Sequence, residues 1–520
     1  MRKFVFYLSL AIMSWVYSFF FRVADWDLWA RLTVGKVFFQ TGRVLHHDFL
    51  SYTEKKPMWI DHEWGSGVVF YFLADHFGDI GLFVFKALSC FIVLFLISKI
   101  IEMQNPKPNA HLNILFYFIA FLSMFNGLGG TVRCQAFTFM FFTLWIYILE
   151  RVRRNNENRL LWILPATSVI WANLHGGFVA GLGLIAMYGI GEFLNGKKFA
   201  KYFLTLIPAT LVTLINPYGI SYLYYVLDAV TMKRPTIMEW RNSFIGWPIL
   251  KWYTYKVFVA ISVITVAFNF IKNKFDYKNL DKVKYILLLV TLYLSIKHIK
   301  HQAFFGIVGC AFLYHDFYAI FTRMAEFLKE KFSFITDKVF EKLKMVKDVV
   351  VYTILIMIGG FVSVSNPVYI NVDESHYPVK AIEFVKRNNI SGNLLTVFHW
   401  GSYAAWKLYP QCLLAIDGRY EEVFPEKINI LTDNFMRQAD KNWYDFVKMY
   451  HTDVIITSAH SKAFLGLQTT KDWKLVYYDQ TSGVFVPANK AKKHYIQPDV
   501  DQDYINKTKF DTDIDFSGKK

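Results

Sequence analysis

Apolar and polar positions run in long blocks along this chain. Phe4–Phe21 is almost uniformly apolar, and Ala24–Trp64 (ADWDLWARLTVGKVFFQTGRVLHHDFLSYTEKKPMWIDHEW) is polar, acidic at both ends and rich in Trp and His. Apolar runs of about 20 residues then recur, the pattern of a polytopic helical membrane protein. The expected spans are Phe4–Phe21, Ile80–Ile101, Ala110–Leu128, Val132–Glu150, Leu160–Leu174, Gly177–Leu194, Tyr202–Ile215, Trp252–Phe270, Tyr285–Ile299, Gln302–Phe321 and Val349–Val364, about eleven transmembrane helices. Leu160–Leu174 and Tyr285–Ile299 are short for a crossing, as helices broken beside a cavity are. Within the polar block, Leu28, Leu32, Gly35 and Phe39 share one face, which predicts an amphipathic helix lying in the interface. Gly65–Phe77 is apolar but short, and it either spans or lies in the interface.

Charge chooses between those two. With Gly65–Phe77 in the interface, the basic loops Arg151–Arg159, Asn195–Lys201, Lys272–Lys284 and Arg323–Lys347 all fall on the cytoplasmic side, as the positive-inside rule requires. The N-terminus is then cytoplasmic, the first span is uncleaved, and Ala24–Trp64 faces outward. Arg323–Lys347 reads as a surface helix on anionic lipid. After Ser365 the pattern changes to alternating helices and strands, an extracytoplasmic α/β domain with a mostly parallel sheet. The expected division is a membrane domain over 1–366 with its first external loop at 24–64, an α/β domain over 367–488, and a loose polar tail over 489–520.

Composition agrees with this division. The 520 residues are 54% apolar and 19% aromatic, with a formal net charge of +16 and a mean hydropathy of +0.27. The positive charge lies largely in loops between spans, so topology rather than nucleic-acid binding accounts for it. Cys90, Cys134, Cys310 and Cys412 form no metal-binding spacing and read as packing residues. Phosphate-loop, serine-hydrolase and zinc-protease motifs are missing from the sequence, which argues against a nucleotide-driven pump or a membrane metalloprotease.

The polar motifs converge on the outer side under this topology. Asp25-Trp26-Asp27 places two carboxylates just beyond a span. Such a pair suits a divalent cation or a general base, and equally an ordinary polar flank. His62-Glu63-Trp64 offers an acid/base or metal-ligand pair, or the cap of the following helix. Arg133 opens a span from outside, where a guanidinium holds phosphate or snorkels. His175-Gly176-Gly177 is a tight turn that presents a ligand or simply turns. Lys297, His298, Lys300 and His301 form an outward basic cluster, suited to an anionic lipid headgroup and equally explained as an unpatterned helix end. Glu239-Trp240 and Asn216-Pro217-Tyr218-Gly219 face the same way.

These motifs resemble those of a bacterial polytopic membrane protein family related to GT-C-type glycosyltransferases. The family pattern D-x-D-[IL]-W-x-x-L-x-x-G is met by Asp25, Asp27, Leu28, Trp29, Leu32 and Gly35. Its G-R-V-x-x-x-D is met by Gly42, Arg43, Val44 and Asp48, and its W-x-x-x-E-W by Trp59, Glu63 and Trp64. Arg133-Cys134-Gln135, Trp171–Phe178, His399–Tyr403 and Ile416-Asp417-Gly418-Arg419 continue the match. Trp29-Ala30-Arg31 departs from the family's Trp-Trp-His. The resemblance implies transfer of a sugar from a polyprenyl-phosphate donor to a glycan, lipid or protein acceptor on the outer face of the cytoplasmic membrane, with Mg²⁺ or Mn²⁺ as possible cofactor. It implies that Asp27 and Asp25 act as base or metal ligands, that Glu63 and His62 assist, and that Arg133 contacts phosphate. His175, Glu239, Lys300 and His301 complete the expected binding set. A non-enzymatic transporter or assembly partner for lipid-linked glycans is the alternative. Asp417-Gly418-Arg419 reads as a strand-end turn rather than a second site.

Overall fold

In the computed structural model of this chain, the described residues are 2–105, 117, 121, 123–128, 130–232, 234, 237–246, 251–272, 276–331, 353–366, 368–438 and 440–517. The first helix, Arg2–Ser18, packs along the helix that ends at Gln104. Its last carbonyls lack helical partners. The buried Lys86 ammonium supplies them, donating to Ser18 O at 3.0 Å and Phe21 O at 2.5 Å, and so fixes the exit toward Asp25. Gly65–Phe77 and Ile80–Ile101 lie on one run, Trp64–Gln104, broken at Gly78 (φ +55°, ψ −141°). Glycine alone takes that conformation without strain, so the two segments are separate helices.

Three helical stretches among the described residues are long and apolar enough to cross a membrane: Trp64–Gln104, kinked at Gly78, Tyr253–Lys272 and Ile299–Met324. Further helices fall where the sequence places them, at Gln135–Asn155, Ile163–Leu174, Phe178–Leu194, Ala200–Leu211 and Lys282–Lys297. Leu204, Ile207 and Leu211 stand exposed along one stripe of their helix, as lipid-facing positions do. Most of Ala110–Leu128, residues 332–347 of the expected surface helix and residues 349–352 of the last expected span lie outside the described residues. Arg323 continues the preceding helix, which runs to Lys331. The basic loops also carry structure: Arg153 is buried against Glu150 (3.2 Å), Glu192 (2.9 Å) and Asp281 (2.5 Å), tying three helices together.

Leu28–Thr41 is a helix, closed by Gly42 in the left-handed conformation (φ +66°). It is not the one-sided interfacial helix expected. Leu28 through Gly35 are all buried, because the α/β domain covers the face that solvent would otherwise reach. It crosses the helix beginning at Trp64 backbone to backbone: a Cβ at Gly35 would stand 2.2 Å from Gly67 O. Only glycine permits that approach.

The α/β domain carries a five-stranded sheet in the order β2-β1-β3-β5-β4, with β1 Gly392–Thr396, β2 Cys412–Leu414, β3 Val454–Ser458, β4 Trp473–Tyr478 and β5 Ser482–Pro487. β1 pairs in parallel with β2 and β3, whereas β5 pairs antiparallel with β3 and β4. The sheet is therefore mixed rather than mostly parallel. β4 and β5 are joined by too few residues for a crossover and form a hairpin. Helices Ile220–Thr231 and Lys462–Thr469 were not expected from the pattern. The tail is not loose either. Gln502–Thr508 is helical, Ile505 and Ile514 are buried, and Lys509 pairs with Asp79 at 2.7 Å. Val500, Ile505, Phe510 and Ile514 recur about every five residues, enough apolar surface to strap a polar segment down.

Candidate active site

The helix exit fixed by Lys86 delivers Asp25 and Asp27 to the end of the helix that starts at Gln135. Asp25 is buried and accepts from Thr131 Oγ1 (2.5 Å) and from the Asp27 amide (3.1 Å). Arg133 reaches both carboxylates, with Nε 3.3 Å from Asp25 and Nη2 2.8 Å from Asp27, while its Nη1 pairs with Glu239. One guanidinium therefore joins three carboxylates. Asp27 differs from Asp25 in facing a crevice, where its side chain keeps 43% of its accessible surface. Enclosure by the surrounding protein and the nearby Asp25 charge raise its carboxyl to about 7, against the pull of Arg133. Glu239 goes the other way, because Arg133 outweighs burial and holds its carboxyl below the usual range. Asp25, Asp27 and Glu63 line a cavity of about 20 Å³, room for one water-sized occupant.

A second, deeper network adjoins that cavity. Arg31 is buried and pairs with Asp61, with Glu63 at 3.6 Å and with Glu422 at 3.5 Å. His62 lies between two carboxylates, Nδ1 2.8 Å from Glu422 and Nε2 3.6 Å from Glu63. Burial opposes charge on this ring, but Glu63 and Glu422 outweigh it and lift His62 to about 9. Burial also disfavours charge on Glu63, yet His62 and Arg31 hold it down at about 2. His175 accepts from the Gly177 amide at Nδ1 (2.9 Å), and its Nε2 lies 3.3 Å from Glu63. Burial takes this ring down to about 3, so it stays neutral. Trp59 Nε1 donates to Glu422 at 2.8 Å.

The α/β domain supplies one wall. Gly418 lies against Asp27: a Cβ there would stand 2.6 Å from Asp27 Oδ1. Arg419 anchors that turn, pairing with Asp48 (2.6 Å) and Asp417 (2.9 Å) under the Trp59 ring. Glu421 pairs with Arg234, whose guanidinium lies 4.3 Å from the Trp240 ring centre. Lys300 Nζ lies 3.5 Å from the same ring. Trp26 packs on Tyr377 and His399, at ring distances of 4.4 and 4.6 Å.

This architecture has counterparts among solved structures. The oligosaccharyltransferase of Archaeoglobus fulgidus, tethered with an acceptor peptide containing the NVT sequon, matches over 97% of this chain and 77% of its own, with a TM-score of 0.56 and 9% identity. The chain shares the GT-C fold. The A. fulgidus oligosaccharyltransferase AglB, in complex with an inhibitory peptide and a dolichol-phosphate, matches over the same shares with a TM-score of 0.56 and 10% identity. ArnT from Cupriavidus metallidurans, bound to undecaprenyl phosphate, matches over 93% of this chain and 96% of its own, with a TM-score of 0.47 and 11% identity. No family model and no curated protein sequence matches the chain.

Within this GT-C scaffold Asp25, Asp27, Arg133 and Glu239 meet at one point. Glu63, His62 and His175 form the adjoining network. Lys300 reaches Trp240, next to Glu239. His301 stays behind it, its ring 6.1 Å from Trp240 and 5.8 Å from Phe304, and takes no part in the ion pairs described. Asp25 and Asp27 are bridged by Arg133, and among the described residues the group of donors within 4.8 Å of one another is instead His62, Glu63 and Glu422. Arg31, Arg234, Glu421 and Glu422 escaped sequence reasoning. Arg31 occupies the place where the sequence departs from the Trp-Trp-His pattern, and Glu421-Glu422 directly follow the Asp-Gly-Arg turn, so both carried a signal. That turn is part of this site and not merely a strand end.

Proposed function

We propose that this protein is a membrane glycosyltransferase that moves a sugar from a polyprenyl-phosphate-linked donor to an acceptor on the outer face of the cytoplasmic membrane. The full topology is about eleven spans, with the N-terminus cytoplasmic and the α/β domain outside. The observation that carries the reading is Asp27: a carboxylate open to a crevice, raised to about 7, set beside Arg133 and near the Arg234–Trp240–Lys300 group. A base whose pKa lies near the working pH combines availability with proton affinity. The acceptor hydroxyl gives its proton to Asp27 as its oxygen bonds to the anomeric carbon. The bond from that carbon to the phosphate oxygen breaks, and polyprenyl phosphate leaves with the electron pair, so configuration inverts. Arg133, Arg234 and Lys300 stabilise the charge on the departing phosphate. Asp25 is a positioning residue, since Thr131 and Arg133 hold it away from the crevice.

Asp25 and Asp27 are tied to Arg133, and among the described residues the donors close enough to share Mg²⁺ or Mn²⁺ are those of His62, Glu63 and Glu422. An ion held by these three residues would supply Lewis-acid stabilisation of the donor phosphate. The complex of the AglB counterpart with a dolichol-phosphate supports a lipid phosphate as the donor's carrier. The test is release of free polyprenyl phosphate from a panel of polyprenyl-phosphate sugars by purified protein, with a lysate of candidate acceptors and with and without Mg²⁺ or Mn²⁺. Release that disappears in Asp27→Asn supports the reading; full turnover in that variant removes it.

A further inference from the structure

A larger cavity, about 390 Å³, lies away from Asp27, where the tail crosses Leu28–Thr41 and the helix beginning at Trp64. It falls in the size range of small-ligand sites. Its charges come in two kinds. Lys36 lines it with no ion pair among the described residues, its ammonium making one long bond to Thr512 O at 3.5 Å. Asp75 and Asp511 line it too. Asp75 is half exposed and accepts from Tyr71 Oη at 3.1 Å. Partial burial lowers the Lys36 amine, in spite of the carboxylates of Asp515 and Asp75 nearby. Asp75 Oδ2 lies 3.5 Å from the half-exposed His76 ring, Asp511 makes no side-chain ion pair among the described residues, and Lys36 has no carboxylate within ion-pair reach, an arrangement that suits a zwitterion.

The cavity also opens onto an apolar strip. Tyr71, in its wall, lies 5.7 Å from the Phe39 ring, which stacks on Phe72 at 6.3 Å. Phe39, Phe72 and Phe77 are exposed. These rings lie on the two short helices beside the first external loop, at the expected depth of the membrane–water boundary. A soluble ligand leaves that strip uncovered, whereas a lipid does not.

We infer that this cavity is a headgroup site for an ethanolamine phospholipid. Lys36 takes the phosphate, Asp75 and Asp511 take the primary ammonium, and an acyl chain lies along Phe39 and Phe72. A choline headgroup has no N–H to donate to the two carboxylates. An anionic headgroup brings phosphate to Lys36 but sets no cation against the carboxylates. The site is independent of the sugar-transfer reading, because none of its residues touches Asp27.

The test uses the full-length protein, stripped of lipid in detergent and offered equal amounts of dioleoyl phosphatidylethanolamine, phosphatidylglycerol and phosphatidylcholine. Retained lipid is counted by native mass spectrometry. The expected result is about tenfold greater retention of phosphatidylethanolamine, a difference of about 1.4 kcal/mol. Asp75→Asn with Asp511→Asn removes the preference, Lys36→Gln lowers retention of all three lipids, and Asp503→Asn, on the same tail but outside the cavity, changes neither. Should the double variant melt early, Asp75→Asn alone, at a half-exposed position, serves in its place. Equal retention of the three lipids by the parent protein overturns the inference. So does an unchanged preference in Asp75→Asn together with unchanged retention in Lys36→Gln.

Discussion

Glutamine in place of Glu422 separates charge from shape in the contact between the external loop and the α/β domain. The carboxamide keeps the volume and an oxygen for Trp59 Nε1, but it removes the charge that faces His62 Nδ1 at 2.8 Å and Arg31 at 3.5 Å. The rise of His62 from 6.5 to about 9 corresponds to roughly 3 kcal/mol in favour of the imidazolium. Glu63 supplies part of that and remains. Glu422→Gln thus forfeits on the order of 1–2 kcal/mol at His62 and about 1 kcal/mol more at Arg31. Relief of Asp61, which burial and Glu422 hold up at about 6, returns some of it, so the net loss is about 2 kcal/mol. His62 gains its partners on folding, so its contribution is complete below pH 6.5 and lost as pH rises through about 9. The assay is the melting midpoint of the purified protein in detergent, followed by intrinsic fluorescence from pH 6 to pH 10. At pH 7 the variant should melt about 2 °C below the parent, and the gap should narrow toward pH 10 as the parent's own imidazolium is lost. A gap that is absent at pH 7, or constant across the range, refutes the reasoning.

Other perturbations follow from the same geometry. The transfer rate at low donor should rise with pH through about 7 as Asp27 ionises, and Asp25→Asn should move that midpoint down, because the Asp25 charge helps to hold Asp27 up; a pH–rate profile in both proteins reads this. Gly418→Val should drive Asp27 from its place, given the 2.6 Å approach to Oδ1, and cost at least about tenfold in turnover with a melting midpoint within a few degrees of the parent. Gly35→Ala meets Gly67 O at 2.2 Å, and the forced separation of the two helices should cost about 1–3 kcal/mol in thermal stability without any change at Asp27 itself.

Much of the membrane domain was legible because lipid imposes long apolar runs, and lipid-facing helices such as Ala200–Leu211 follow them closely. The break at Gly78 was legible for a related reason: an apolar run that ends in Asp75 and His76 cannot continue as one span. What failed depended on contacts distant in sequence. Leu28–Thr41 reads as one-sided because its Arg31 looks solvated, yet Asp61, Glu63 and Glu422 neutralise it in the interior. The last of these lies 391 residues away, and no local pattern announces such a partner. The tail looked loose because its apolar residues are sparse, and their value appears only against Trp406 and Asp79. At the site, Asp25, Asp27 and Arg133 stood out by residue type and side of the membrane. Arg234 and Glu421 did not, because each is unremarkable until the other is placed beside it.

The central claim is that Asp27 is the base of a lipid-phosphate-dependent sugar transfer. The most direct measurement is release of polyprenyl phosphate, in the presence of a lysate of candidate acceptors, by the parent protein and by Asp27→Asn, each checked for an intact fold by its melting midpoint. Release by the parent and loss of at least about a thousandfold in the folded variant is the expected result. Equal release by both proteins, or none by the parent with any donor in the panel, contradicts it.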